Sequence, residues 1–364
     1  MVKLNKLNKF TNLGKYHIHL ARQKDGLDIK KFIHLYWKKN HILSESNKLF
    51  NFQHKAKDNL NWLLARNKKT KKIEAILGII SKNFFSKGIV SNKDHIWISI
   101  IMVAYQLSPS KGLGTYMIDF LNSKFKPKSI SAIGINPLIA NLYERLGLKI
   151  SFLNHYYYIN KNKKSLKLIK KFQLSLWHRE RIMTEIDIKK KKVKDEEISK
   201  SNIKRVSKKN ISQFKFFDQE LKDKNYFINR YGKHPIYKYK FFGKYRNNIL
   251  FNILICREII ALNRKLLRIV DICSIKHFNK INEIDLRNIS IKHDYEYIDF
   301  INYGINSSLI KKAGFKKRSE NILIPHHFEP FESKNIKIMF SYKSSLKNFY
   351  CFKGDSDLDR PSIL

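Results

Sequence analysis

Apolar positions recur along this chain in two rhythms, and the rhythm predicts the element. Over residues 28–40, Ile29, Phe32, Ile33 and Tyr36 return at three- and four-residue spacing, which predicts an amphipathic helix. Residues 61–66 and 73–80 are apolar runs separated by the polar stretch 67–72, the pattern of a hairpin. A buried strand is expected over 95–105. A short loop holding Gly112 and Gly114 then enters a helix whose face carries Tyr116, Met117, Phe120 and Leu121. Another apolar strand occupies 129–135. The following helix, 137–146, has Asn136 as N-cap, Pro137 in its first position and Gly147 at its C-terminal end. Residues 155–159 complete this half as a strand.

Residues 161–201 are charged and repetitive, with lysines at 189–192 and acids at 195–197, and are expected to connect two domains. Beyond them the alternation resumes, with strands over 250–258 and 266–273, a helix over 278–289, a strand over 296–301 and a helix over 306–313. The segment 142–148 (LYERLGL) is echoed by 309–315 (LIKKAGF), each after an expected strand, which suggests two copies of one fold. The expected class is α/β (α+β), divided into 1–160, the connection 161–201, and 202–364.

Composition changes little of this. The chain of 364 residues is long enough for two cores, and its formal charge of +43 would ordinarily suggest nucleic acid or an anionic surface. The lysines, however, are spread along the chain among many Asn and Ile, with only 13 Gly and 7 Pro, a bias that an AT-rich coding sequence explains without a nucleic-acid partner. Cys256, Cys273 and Cys351 are widely spaced and form no CxxC pair, so neither a disulfide framework nor a zinc knuckle is indicated and a cytoplasmic protein is expected. No apolar run is long enough to span a bilayer, and no signal core is expected at the N-terminus.

The chemistry concentrates in Lys111-Gly112-Leu113-Gly114-Thr115. A strand passing through glycines into a helix exposes backbone N–H groups at the positive end of the helix dipole, which suits a pyrophosphate. Lys111 adds a charge and Thr115 a hydroxyl. Neither the ATPase P-loop pattern nor the three-glycine dinucleotide fingerprint is present.

The stretch from Asn136 to Gly147 (NPLIANLYERLG), at its distance from the glycine loop, resembles the Asn…Leu-Tyr-Glu-x-x-Gly segment of the GNAT (Gcn5-related N-acetyltransferase) superfamily. The resemblance implies a mixed central sheet with splayed strands flanked by helices, followed by a second, degenerate GNAT-like domain. It implies acetyl-CoA or another acyl-CoA as co-substrate, its pyrophosphate on the amides of 111–115, Asn136 along the pantetheine and Tyr143 protonating the departing thiolate. An N–H near Val103 or Ala104 would hold the oxyanion. Pro109 departs from the family's usual Gln or Arg, which removes one polar contact. For the base, Glu74, His95, Asp94 and His155 remain open.

Residues 37–43, 49–54, 324–331 and 352–361 resemble segments of bacterial GNAT-like proteins found with surface-polysaccharide genes. That resemblance implies an amino sugar or nucleotide sugar as small-molecule acceptor, read by His41, Gln53, His326, His327, Asp355 and Asp357. Asp355, Asp357 and Asp359 are spaced as in a calcium loop, but Arg360 stands where that loop needs glycine, so no metal is expected. The second half lacks a glycine loop and carries Ile310 in place of Tyr143, so it is expected to bind no CoA. The alternatives are an aminoacyl- or peptidoglycan-type transferase and a non-catalytic RNA-binding protein that stacks bases on the aromatic stretch 237–242.

Overall fold

A computed structural model describes residues 13–107, 109–174, 181–187, 202–218 and 222–362. Its first strands are β1 (Tyr16–Arg22), β2 (Asn59–Asn67), β3 (Ile73–Ser81), β4 (His95–Val103), β5 (Ser129–Ile133) and β6 (Lys149–Phe152). There follow β7 (Asn154–Ile159), β8 (Ser165–Leu174), β9 (Arg181–Asp187), β10 (Ile203–Val206), β11 (Lys240–Arg246) and β12 (Ile249–Ala261). The last are β13 (Arg264–Ile272), β14 (Tyr295–Tyr303), β15 (Lys316–Lys317), β16 (Ile322–Leu323), β17 (Met339–Ser344) and β18 (Cys351–Phe352).

The chain forms two compact units. The first takes the residues up to Ser151 together with Met339–Lys347 and the tail from Ser356; the second takes Phe152–Ile338 and Asn348–Asp355. In the first, the sheet order is β1-β2-β3-β4-β5-β17-β6, with β4 and β5 parallel. Side chains alternate across it as a strand's period of two requires. Leu63, Leu77, Ile79 and Ile98 face helix α1 (Leu113–Phe125), which buries Leu113, Met117 and Leu121 at four-residue spacing. Trp62, Leu64, Ile76 and Ile100 share the other core with Ile29, Phe32, Leu49 and Phe50. The helix expected over 28–40 begins at Gly26 and ends in a π-helical turn, Ile33–Trp37.

The second unit repeats the arrangement. Its order is β10-β11-β12-β13-β14-β7-β15, with β13 and β14 parallel and β18 added to β14. In each sheet the sixth place is taken by a strand from the far part of the chain: β17 in the first, β7 in the second. Residues 155–159, expected to complete the first domain, therefore lie between β14 and β15. Only Leu153 separates β6 from β7, whereas the tightest hairpin needs about two residues, so β7 cannot fold back beside β6. Part of the expected connection, 161–201, is structured, since β8 pairs with β9 and β16. Its charged runs at 189–192 and 195–197 lie outside the described residues.

The echo between 142–148 and 309–315 extends to hydrogen bonding. Helix α2 (Ala140–Arg145) follows a turn capped by Asn136 on the Leu138 N–H, and helix α3 (Ser307–Lys312) is capped by Asn306 on the Ser308 N–H. Gly147 and Gly314 end them at φ +76° and +99°, a region that favours glycine. Leu148 and Phe315 then donate back to the carbonyls of Tyr143 and Ile310. Gly134-Ile135-Asn136 and Gly304-Ile305-Asn306 form a second echo that the sequence reading passes over. No helix among the described residues is long and apolar enough to cross a membrane.

Candidate active site

A bulge opens the first sheet. Gly78 of β3 lies opposite Ile100 and Ile79 lies opposite Ile98, so Ser99 is the extra residue in β4. Parallel pairing with β5 runs from His95↔Ser129 to Ile98↔Ala132 and stops there, while β4 continues to Val103. Gly78 is needed opposite the bulge, because a Cβ there would sit 2.5 Å from Ser99 Oγ and 2.9 Å from the Trp62 ring. Beyond Ile98 and Ala132 no backbone hydrogen bond between described residues joins the two strands. The result is the splay that the resemblance implies.

Edge direction decides between the two oxyanion candidates. The Ala104 N–H donates to the Glu74 carbonyl at 2.9 Å, so Ala104 is corrected to a ladder residue. Successive strand N–H groups face opposite edges, and that of Val103 therefore points into the opening.

The glycine loop meets the same opening. A Cβ on Gly114 would lie 3.5 Å from Val103 Cγ2 and 3.6 Å from Ile101 Cδ1. Gly112 is the N-cap of α1 at φ +82°, again in glycine's region. The N–H groups of Gly114 and Thr115 have no acceptor among the described residues, as expected of a helix's first turn. Leu113 is buried and its N–H donates to Ser110 at 3.3 Å, whereas Lys111 is exposed. The Thr115 hydroxyl folds back on the Gly112 carbonyl at 2.7 Å, so its proton is not available to a phosphate and the expected hydroxyl contact is narrowed to a lone pair and the amide.

Tyr143 is 3% exposed and packs with the α1 core. Its hydroxyl makes no hydrogen bond among the described residues, and burial pushes its pKa up to about 12. Asn136 is exposed, with Oδ1 accepting the Leu138 N–H at 3.0 Å.

The four candidate bases separate. Glu74 is buried, accepting from Tyr16 Oη at 2.7 Å and Asn67 Nδ2 at 2.8 Å. His95 sits at the opposite end of β4, eight residues from Val103, or roughly 26 Å at a strand's rise. Its Nδ1 lies 2.8 Å from Ser129 Oγ, so it is corrected to a ladder-end residue remote from the opening. Asp94 accepts from the N–H groups of Asn83 and His95 at 3.0 and 2.7 Å; burial raises its pKa. His155 belongs to the second unit, buried against Asp299 at 3.0 Å.

Acceptor-side candidates divide in the same way. In the first unit the His41 and Trp37 rings meet at 4.2 Å with their planes tilted by 39°, and the Arg360 guanidinium lies 5.7 Å from the Trp37 ring. Arg360 donates to Asp357 at 3.0 Å. The Ser356 hydroxyl approaches Asp357 Oδ1 and the Ile98 carbonyl, both at 3.4 Å, so this cluster borders the bulge. Burial, then Arg360 and Lys38, push the His41 pKa down to about 3, and its Nδ1 accepts the Leu43 N–H at 3.2 Å. It is therefore neutral with its proton on Nε2. Gln53 is fully buried, with neither amide atom partnered among the described residues. Sequence reasoning missed that Arg360 lies over Trp37, because only folding brings residues more than 300 positions apart together.

In the second unit Asp355 accepts from Lys222 at 2.6 Å and from the Phe352 N–H at 2.9 Å, and Lys222 also donates to Asp271 at 2.7 Å. Asp355 is thus corrected from acceptor reader to buried clamp. The His326 ring meets Lys353 Nζ at 3.1 Å and is held well below its ordinary pKa by burial and that charge; His327 is exposed. Parallel pairing of β13 with β14 also stops early, at Ile269↔Phe300, but the gap is filled by the chain itself. Gly354 donates to Val270 of β13 at 2.8 Å, Lys353 donates to Ile301 of β14 at 3.1 Å, and β18 pairs with Asn302 and Tyr303.

No protein-family profile and no curated protein matches the sequence. Among solved structures the chain is similar to a myristoyl-CoA complex of Saccharomyces cerevisiae N-myristoyltransferase (TM-score 0.43, 11% identity, 97% of this chain and 86% of that one). It is more similar to a GCN5-related N-acetyltransferase from Anabaena variabilis, with TM-score 0.50 and 10% identity over 89% of this chain and 72% of that one. The chain thus has the GCN5-related N-acetyltransferase fold.

Proposed function

We propose that the protein transfers an acyl group from acyl-CoA to an amine, using one site in the first unit. The observation that carries this is the conjunction of an open β4–β5 splay with a glycine-capped helix start at its mouth. Pantetheine fits between strands whose ladder is broken, and the pyrophosphate fits the amides of Gly114 and Thr115, which have no acceptor among the described residues, with Lys111 beside them. The second unit presents no such gap, because residues 351–354 occupy it. One acyl-CoA per chain follows.

In the reaction the amine nitrogen attacks the thioester carbon, and the Val103 N–H donates to the oxygen as it becomes an oxyanion. The C–S bond then breaks, the electron pair leaves on sulfur, and the nitrogen loses a proton. Tyr143 stands to meet the sulfur. Burial holds the phenol's pKa above the ordinary range of a thiol, which favours hydrogen-bond donation to the sulfur over full proton transfer. Its role is therefore hydrogen-bond donation to the departing sulfur, with CoASH formed from the ammonium's proton.

For the acceptor we infer an amino sugar or nucleotide-linked amino sugar. The half-exposed Trp37 face, the neutral His41 donor and the Asp357–Arg360 pair supply the stacking surface and directed hydrogen bonds that a polyhydroxylated ring uses. RNA binding is less well supported, since Tyr239, Phe241 and Phe242 are buried. The test is mass spectrometry after incubation with acetyl-CoA and a panel of amino sugars, with thiol titration of released CoASH. An acetylated amine and stoichiometric CoASH are expected; neither CoA binding nor CoASH release with any amine refutes the reading.

A further inference from the structure

Both ends of the link from β4 to the glycine loop converge on Glu74. At one end Ala104 donates its N–H to the Glu74 carbonyl at 2.9 Å. At the other, the Ser110 N–H donates to Tyr16 Oη at 2.9 Å, and Tyr16 donates its proton to Glu74 Oε2 at 2.7 Å. Asn67 Nδ2 occupies Oε1 at 2.8 Å. Glu74 is 4% exposed and Tyr16 6% exposed, so water does not compete for these partners.

We propose that Tyr16 and Glu74 are positioning residues that set the glycine loop for the acyl-CoA pyrophosphate, and that Glu74 does not serve as the base. The inference rests on reading the first unit as the acyl-CoA site. The polarity of the relay runs one way. A phenol has a single proton; with that proton on the carboxylate, its lone pairs are left facing Ser110. A carboxylate acceptor makes this a charge-assisted bond, stronger than one between neutral groups. Loss of the hydroxyl removes the acceptor that holds the Ser110 N–H beside Lys111 and Gly112, and the first-turn amides lose their registry with β4.

Calorimetry with CoA and steady-state kinetics on Tyr16→Phe and Glu74→Gln test this. Tyr16→Phe is expected to raise the CoA Kd about tenfold, equivalent to about 1.4 kcal/mol, while the acceptor KM moves less than about twofold. Glu74→Gln keeps an oxygen for Tyr16 but loses the charge and turns its amide NH2 toward Asn67 Nδ2, itself a donor, so it is expected to raise the CoA Kd in the same direction as Tyr16→Phe, with kcat at saturating acyl-CoA and acceptor falling no further than in Tyr16→Phe. A base would behave otherwise: Glu74→Gln would lower kcat about a hundredfold and erase the acidic limb of the pH profile, which overturns the proposal. Hydrogen exchange of the Ser110 amide in ligand-free protein is the independent arm. It should lose protection in Tyr16→Phe, and unchanged protection overturns the proposal even if the wild type binds no CoA, a result that would sink the acyl-CoA reading separately.

Discussion

Replacing Tyr143 by Phe removes one oxygen from a site where it has no hydrogen-bond partner among the described residues. The hydroxyl makes no hydrogen bond among the described residues, so the substitution leaves no buried donor or acceptor unmatched, and the ring keeps its packing in the α1 core. Stability should change by less than about 0.5 kcal/mol. Catalysis should respond differently. A hydrogen bond from a neutral phenol to a developing thiolate in a buried site contributes about 1.5–3 kcal/mol, which corresponds to about a 10- to 150-fold fall in kcat. Because the phenol holds its proton to about 12, no inflection between pH 6 and 10 should vanish in the variant. Thiol release measured against acetyl-CoA and acceptor, alongside urea denaturation, separates the two effects. The acetyl-CoA KM should move less than about threefold. If kcat stays within about threefold of wild type, Tyr143 is a core aromatic and the sulfur is served by another group.

Other consequences can be checked alongside. His95→Gln should leave kcat within about threefold, since His95 stands at the far end of β4; a hundredfold loss would show that the opening has been placed at the wrong end. Arg268 makes three contacts of 2.7–3.1 Å with Asp299, both fully buried, so Arg268→Leu should cost about 3–5 kcal/mol in denaturant unfolding by stranding the carboxylate. Burial alone would raise the Asp299 pKa, but Arg268 and His155 reverse this and hold it at about 2. That stabilisation, about 2–3 kcal/mol, is complete above an unfolded pKa of about 3.9 and should be lost as pH falls from there through about 2 in acid-unfolding curves. Gly354→Ala places a methyl 2.3 Å from Tyr231 Oη and 2.9 Å from the Val270 carbonyl, which should destabilise the second unit by about 1–3 kcal/mol while acetyl-CoA affinity is retained.

The core of the first unit is legible in the sequence because its signals are local. Apolar runs on either side of a polar turn mark β2 and β3, glycine opens α1, asparagine and glycine bracket the turn and helix around α2, and the echo at 309–315 marks the repeat. Non-local features are not. The exchange of β7 and β17 depends on a single residue between β6 and β7, a geometric limit that leaves no compositional trace. The bulge at Ser99 is a matter of register across two strands, and the reason for Gly78 appears only with Ser99 and Trp62 opposite it. Among charged residues, Asp355 and Asp357 look alike in sequence; one is a clamp on Lys222 and the other lies beside the bulge with Arg360. Glu74 and His95 qualified as bases by residue type, and their partners and places assign them other tasks.

The central claim is one open acyl-CoA groove, in the first unit, the corresponding gap in the second unit being filled by the chain's own residues 351–354. Native mass spectrometry of the full chain titrated with acetyl-CoA tests it most directly. The account predicts saturation at one acetyl-CoA per chain, retained in Tyr143→Phe. Two bound molecules, or none at millimolar ligand, would contradict it.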